Sequence, residues 1–224
     1  MLNNHLTILG VDSIIENNNM IIFSVDKDTI LYIIAEGSND KLMKIYILDD
    51  VKLTINSLLI NTNIKINIYL EKTSVLNINN IIISTLDSNI TIDVFHLKDK
   101  GSSTLNNYAL VNDSILVINA NASIVKNSKF NIVNQNTKGV LLNSFSKINT
   151  KPMLSIKTND CEASHSAAIG ALNTEEVYYL MSRGLSEENA KTLIIKSFLN
   201  PIIDNIDNKI IIDKLNIYMK ELFV

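Results

Sequence analysis

Cysteine occurs once in this chain of 224 residues, arginine once, tryptophan never, proline twice and glycine six times. Each scarcity excludes something. One cysteine, Cys161, makes no internal disulfide, which fits a reducing compartment such as the cytoplasm. Cys161 and His165 form one Cys-x3-His pair without a second, so a closed structural zinc site is ruled out. No glycine follows Asn or Asp, so the tight hairpin turns of an up-and-down barrel are missing. Apolar runs such as Ile30 to Ala35 fall far short of the about 20 residues that cross a bilayer, and no membrane span is expected. Polar Asn3, Asn4 and His5 follow Met1 where a basic-then-apolar stretch would mark a signal peptide, so none is expected. The net charge of -3 and pI of about 5.6 leave no basic face for nucleic acid or anionic lipid. Gly-x-Ser-x-Gly, a phosphate-binding Walker loop and paired carboxylates are all absent. Asp87, Asp93 and Asp99 are too scattered for a carbohydrate-cleaving centre.

Isoleucine and asparagine dominate instead. Up to about residue 160 the chain alternates. Ile64, Ile66, Ile68 and Leu70 point one way, Lys65, Asn67 and Tyr69 the other. Ile90, Ile92 and Val94 repeat the pattern, as do Leu53 with Ile55 and Met43 with Ile45 and Ile47. A period of two marks strands with one buried face. About a dozen such runs, divided by Asn, Asp, Ser and Lys clusters, leave a β-sandwich or a β-solenoid open. No strict repeat length decides between them. Recurrent Asn near strand ends suits stacked side-chain ladders, though base composition explains it as well.

After Gly170 the period changes. Asn173 or Thr174 caps a helix that Glu175 and Glu176 favour, with Arg183 in its last turn and Gly184 at its stop. Ser186 caps a second helix with a stripe of Ala190, Leu193, Ile194, Ser197 and Phe198. Pro201 implies a kink or a fresh start near Asn200. A last helix is expected from Asn208 to Leu222, with Ile211, Leu215, Tyr218 and Leu222 inward. These helices must pack on each other and on the end of the β part. Domains of 1–170 and 171–224 are expected.

Three candidates for chemistry stand out. His165 is either an exposed turn histidine or a metal or proton site. Cys161 reads as a buried free thiol. His5 and His96 stand alone, and His96 is expected to alternate outward. Arg183 in a chain that otherwise uses lysine fits a bidentate carboxylate contact or, equally, a helix C-terminal cation.

Four pieces occur in a specific order and spacing: Asn149-Thr150-Lys151-Pro152, Met153-Leu154-Ser155-Ile156, Ala163-Ser164-His165-Ser166-Ala167-Ala168-Ile169-Gly170, and Tyr179-Leu180-Met181-Ser182-Arg183-Gly184-Leu185-Ser186-Glu187-Glu188-Asn189-Ala190. Residues 149–203 resemble the C-terminal part of the SufB/SufD family of iron–sulfur cluster assembly scaffolds. The resemblance implies a mainly β chain, a right-handed parallel β-helix followed by a small C-terminal α-helical domain. It leans to SufD. Thr137 stands where SufB-like chains carry an essential Cys, and Ser166 where they carry Glu; the Ser164-His165-Ser166 triplet departs from SufD-like Ser-His-Gly by one residue. It implies a non-catalytic scaffold, not an enzyme, with a SufB-like partner and a SufC-type ABC ATPase, and a homodimer as a further option. His165 is then the cluster-assembly residue, with Glu176, Tyr179, Arg183, Gly184 and Glu187 on the ATPase-binding side. The isolated chain is expected to hold no cofactor, and an iron–sulfur cluster to be present only transiently in the complex. Strands near Val140–Ile148 and Met153–Lys157 would form the pairing edge. The reading from another class is a self-associating structural β-solenoid.

Overall fold

The computed structural model describes residues 5–10, 15–17, 19–37 and 40–222. The side chain of His5, like Met1, Asn3 and Asn4, lies outside the described residues.

Among the described residues two seven-stranded sheets wind around one lumen. The first sheet holds β1 (His5–Leu9), β4 (Thr29–Glu36), β6 (Lys52–Ile60), β8 (Val75–Ser84), β10 (Ser102–Val111), β12 (Asn131–Leu141) and β14 (Cys161–Ala171), hydrogen-bonded in that order. The second holds β2 (Ile15–Asn17), β3 (Met20–Val25), β5 (Lys41–Ile47), β7 (Asn63–Leu70), β9 (Ser88–His96), β11 (Ile115–Ile124) and β13 (Lys147–Ile156). The chain passes from one sheet to the other and back about five times, and all pairings from β3 and β4 onward are parallel. This is a parallel β-solenoid, not a sandwich. At its N-terminal end β1 pairs antiparallel with β4, and β2 with β3, which ends the parallel stacking.

The step between coils is not constant. Ser57 to Asn80 is 23 residues, Asn80 to Asn107 is 27, and Asn107 to Thr137 is 30. The coils lengthen toward the C-terminus, so no repeat period shows in the sequence. The alternating residues all point into the lumen. Met43, Ile45, Ile47, Leu53, Ile55, Ile64, Ile66, Ile68, Leu70, Ile90, Ile92 and Val94 are buried in one cluster. Each such aliphatic side chain contributes roughly 1.5–3 kcal/mol.

The corners that lead into β6, β8, β10 and β12 place no glycine at their positive-φ position. Asp50, Thr73, Lys100 and Phe130 have positive φ at equivalent places before β6, β8, β10 and β12. Their amides donate to the carbonyls of Lys72, Asp99, Lys129 and Asp160 on the next coil. The asparagines form two ladders, inside strands rather than beside their ends. On the outer face Asn79 Nδ2 donates to Asn56 Oδ1 (3.0 Å), Asn106 to Asn79 (3.1 Å) and Asn136 to Asn106 (3.1 Å). In the lumen Ser57 Oγ donates to Asn80 Oδ1 (2.5 Å), Asn80 Nδ2 to Asn107 Oδ1 (2.7 Å) and Asn107 Nδ2 to Thr137 Oγ1 (3.2 Å). Each buried amide satisfies the next, which holds successive coils in register.

Three helices follow: α1 (Thr174–Ser182), α2 (Glu187–Ile203) and α3 (Lys209–Glu221). They lie against the outer face of the first sheet, not on the solenoid's end. Ile34, Leu58, Ile60, Ile81, Ile83, Tyr108 and Leu110 point outward there and share a core with Ile195, Leu199, Ile202, Ile211, Leu215 and Met219. The sequence sign is the uninterrupted run Ile81-Ile82-Ile83, buried on both faces. Glu36 on β4 fastens α3, accepting from Lys214 Nζ (2.6 Å) and Tyr218 Oη (2.7 Å).

Helix α2 has two buried sides. Ala190 and Ile194 face α1, while Ile195, Leu199 and Ile202 face the sheet; Leu193 is 48% exposed. Pro201 stays inside α2, because the helix ends two residues later and Asn205 Nδ2 donates back to the Pro201 carbonyl (2.8 Å).

Candidate functional site: the last coil and the helical hairpin

The last coil continues the lumen pattern without a coil above it. β13 and β14 are the terminal strands of their sheets, and each leaves one edge unpaired by any described strand. The second edge strand is thus β14, not the Val140–Ile148 segment, which spans the end of β12, a turn and the first two residues of β13. β14 escapes periodicity analysis because its residues are mostly Ala, Ser and Gly, small on both faces.

His165 sits in the middle of β14, opposite Gln135, rather than in a turn. Its phase is that of Ala163, which packs on the lumen core, so the imidazole occupies a lumen position at the open mouth and is exposed. Beneath it Gln135 is buried, and Thr137 two residues on ends the lumen ladder. Across the mouth, on β13, the Thr150 hydroxyl is buried without a partner. Met153 (59% exposed), Ile156 (40%), Ile169 (38%) and Phe145 (74%) belong to the same coil or its loops. Cys161 is half-buried, its Sγ 3.9 Å from the Thr158 carbonyl. It lies four residues from His165 on one strand, roughly 13 Å at strand rise, so the two side chains do not converge. Among the described residues no group of three His, Cys, Asp or Glu gathers to hold a metal ion.

His96, expected to point outward, is fully buried. Its phase continues Ile90, Ile92 and Val94, which the alternation already implied. The ring lies 2.8 Å from Ser103 Oγ through Nε2 and 3.1 Å from Asn131 Oδ1 through Nδ1. Burial drives its pKa down to about 4, partly opposed by the Asn131 contact.

The remaining candidates lie together on the α1–α2 hairpin, and no described contact joins them to His165. Asn173 caps α1, accepting from Glu175 N (3.0 Å) and Glu176 N (3.4 Å). At the other end Gly184 has φ 97°, its amide bonds to the Met181 carbonyl, and Leu185 N reaches the Leu180 carbonyl. This is a left-handed glycine exit, with Leu180 and Leu185 both packed against the cluster of Leu172, Val177 and Ala190. The Arg183 guanidinium sits 5.2 Å from the Tyr179 ring centroid, a cation–π contact, and among the described residues it pairs with no carboxylate. Glu187 pairs with Lys191 (2.6 Å) one turn on. Glu176 borders a groove of about 400 Å³ with Leu180, Leu193, Ile194 and Phe198. Tyr178 and Tyr179 project 69% and 58% exposed. Tyr178 and Met181 also wall a second cleft, of about 460 Å³, against Leu141 and Leu172. Sequence reasoning missed Tyr178, although two adjacent tyrosines on one amphipathic helix cannot both be buried.

Among the described residues no helix is long and apolar enough to cross a membrane. The SufBD core domain of the SUF system for FeS cluster assembly matches residues 46–198. An iron–sulfur cluster assembly SufBD family protein of Pyrococcus horikoshii is 36% identical over 109 residues, 46% of this chain and 24% of that one. The iron–sulfur cluster assembly protein SufD of Bacillus subtilis is 26% identical over 119 residues, 53% of this chain and 27% of that one. SufD of Escherichia coli is 28% identical over 102 residues, 46% of this chain and 21% of that one. The matched stretches thus span about a quarter of the length of these relatives.

Proposed function

The chain belongs to the SufB/SufD family, and we propose from that premise that it is a non-catalytic, SufD-like scaffold subunit of an iron–sulfur cluster assembly complex. The observation that carries the reading is the contrast in the last coil: lumen register and backbone pairing continue up to β14 and then stop, with apolar side chains left exposed. An unpaired sheet edge of this kind is a template for a partner strand. A SufB-like subunit pairs there, edge to edge, and a second copy of the chain is the competing occupant. His165 faces the seam and offers one imidazole to iron, or to a proton, while the SufB-like subunit supplies most of the sulfur ligands. The cluster is cargo of the complex, present transiently; the isolated chain binds none. The α1–α2 hairpin, with Glu176, Tyr179, Arg183, Gly184 and Glu187, docks a SufC-type ABC ATPase. The place of action is the cytoplasm.

The test is co-purification with both partners. Deleting residues 173–224 is the wrong variant, because it strips the cover from Leu58, Ile60, Ile81 and Ile83. Tyr179→Ala with Arg183→Ala leaves that core intact and is expected to lose the ATPase while keeping the SufB-like subunit. Retention of the ATPase by this variant contradicts the docking role. His165→Ala is expected to leave the complex assembled and lower its iron and sulfide content. Normal loading makes His165 structural; failure to assemble makes it a packing residue.

A further inference from the structure

One corner of the solenoid carries a cluster of cations that the scaffold reading does not use. The turns leaving β7, β9 and β11 stack on one another, and each presents a lysine: Lys72, Lys98 and Lys126. With Leu97, Asp99, Asn127 and Ser128 they line a cleft of about 200 Å³. None of the three lysines takes part in an ion pair among the described residues, in a chain whose net charge is -3. The one carboxylate at the cleft, that of Asp99, is engaged by the next coil, accepting from Lys129 N (2.8 Å).

The cleft also has a fixed polar wall. Ser128 is buried and its Oγ donates to the Lys98 carbonyl (2.5 Å). Asn131 Nδ2 donates to that same Oγ (2.7 Å), and Asn131 Oδ1 accepts from Gly101 N (2.9 Å) and contacts His96 Nδ1. A Cβ on Gly101 would stand 2.9 Å from both Asn131 Oδ1 and His96 Nδ1, so only glycine fits this packing. The buried chain His96–Asn131–Ser128 thus ties the turn at 97–101 to the turn at 125–130. Asn127 in turn holds a positive φ of 67° at the lip, and the amides of Lys98, Asp99, Lys126 and Asn127 donate to no described group. Turn amides of this kind, beside ammonium groups, form anion-binding concavities.

We propose that this corner is a binding site for a phosphate-type oxyanion, with Lys72, Lys98 and Lys126 supplying charge and the turn amides supplying directed donors. The site is independent of the seam at β14 and of the helical hairpin. The volume fits one phosphate group, either free or as the terminal group of a nucleotide.

The test uses the full chain at constant ionic strength. Inorganic phosphate, then ATP, are titrated while backbone amide shifts are followed, with polyglutamate as a third probe. Saturable shifts at residues 97–99 and 126–128 are expected, and the Lys72→Gln, Lys98→Gln, Lys126→Gln triple variant should weaken binding at least tenfold. Ser128→Ala keeps all three charges and should weaken binding several-fold, a loss that a purely diffuse charge effect does not produce. Saturation by phosphate alone identifies a free-anion site; saturation by ATP alone identifies a nucleotide's terminal phosphate. Shifts that never saturate, a triple variant that titrates like the parent chain, or a response to polyglutamate alone would each overturn the proposal.

Discussion

The fifth coil and the open coil above it follow one register but not one environment. In β12 the lumen positions Val133, Gln135 and Thr137 are buried; in β14 their partners Ala163, His165 and Ala167 are half-buried or exposed. In β11 the lumen residues Leu116, Ile118 and Ala120 are fully buried, whereas β13 shows water Met153 on one face and Ile156 at its lumen mouth. Backbone geometry is continuous, so the difference comes from what lies above. The lower coils each have a coil on both sides, and the last has one. A solenoid ends either by reversing its strand direction, as β1 and β2 do, or by offering the edge to another chain.

The largest effect should separate equivalent substitutions in the two regions. Ile68→Asp places an unpaired charge in a fully buried position and should unfold the chain, a loss beyond about 4 kcal/mol. Ile169→Asp at the open coil should change the isolated chain's stability by no more than about 0.5 kcal/mol, and yet abolish pairing with a SufB-like partner. Urea unfolding of both variants checks the first half, and co-purification the second. Equal destabilisation by the two would erase the contrast.

Histidine supplies the next comparison. His96 has a folded-state pKa of about 4 against 6.5 unfolded, so the unfolded chain binds the extra proton between those values. The stabilisation is complete above pH 6.5 and falls as pH drops toward 4, by roughly 3 kcal/mol at 1.36 kcal/mol per pH unit. Carboxylates titrate in the lower part of that window, so the measurement is the difference in pH profile between the parent chain and His96→Gln. The variant should lose the drop between pH 6.5 and 4.5. Parallel profiles would place His96 in water.

A smaller effect should distinguish the two asparagine ladders. Asn107→Ala strips partners from Asn80 and Thr137 inside the lumen and should cost about 1–3 kcal/mol. Asn136→Ala on the outer face leaves Asn106 and Ser166 open to water, so it should cost about 0.5 kcal/mol or less. Thermal melts would measure both. Equal costs would mean that water reaches the lumen ladder.

Sheet two was legible because β5, β7 and β9 have one wet face, and alternation reports that directly. Sheet one was harder. The continuous burial of Leu58 to Ile60 and Ile81 to Ile83 records two covers, lumen and helices, and periodicity alone does not name the second. That is why the helices were expected on the end of the β part. The cap Ser186, and Asn173 as one of two candidates, were readable because a capping side chain acts within three residues; Asn208, expected as the first residue of the last helix, is its cap. The corners were not, since Thr73, Lys100 and Phe130 take positive φ against their own preference, held by hydrogen bonds to the next coil. His165 was found through its neighbours in sequence. Its position at a mouth depends on β14, whose small residues carry no period.

The direct measurement is amide hydrogen exchange along β14, Cys161 to Ala171, in the isolated chain and in complex with a SufB-like subunit. Half of an edge strand's amides face no partner, so they should exchange fast in the isolated chain and become protected in the complex, while β8 and β10 stay unchanged. A complex that forms with β14 exchanging as before would contradict the claim that the open coil is the pairing face.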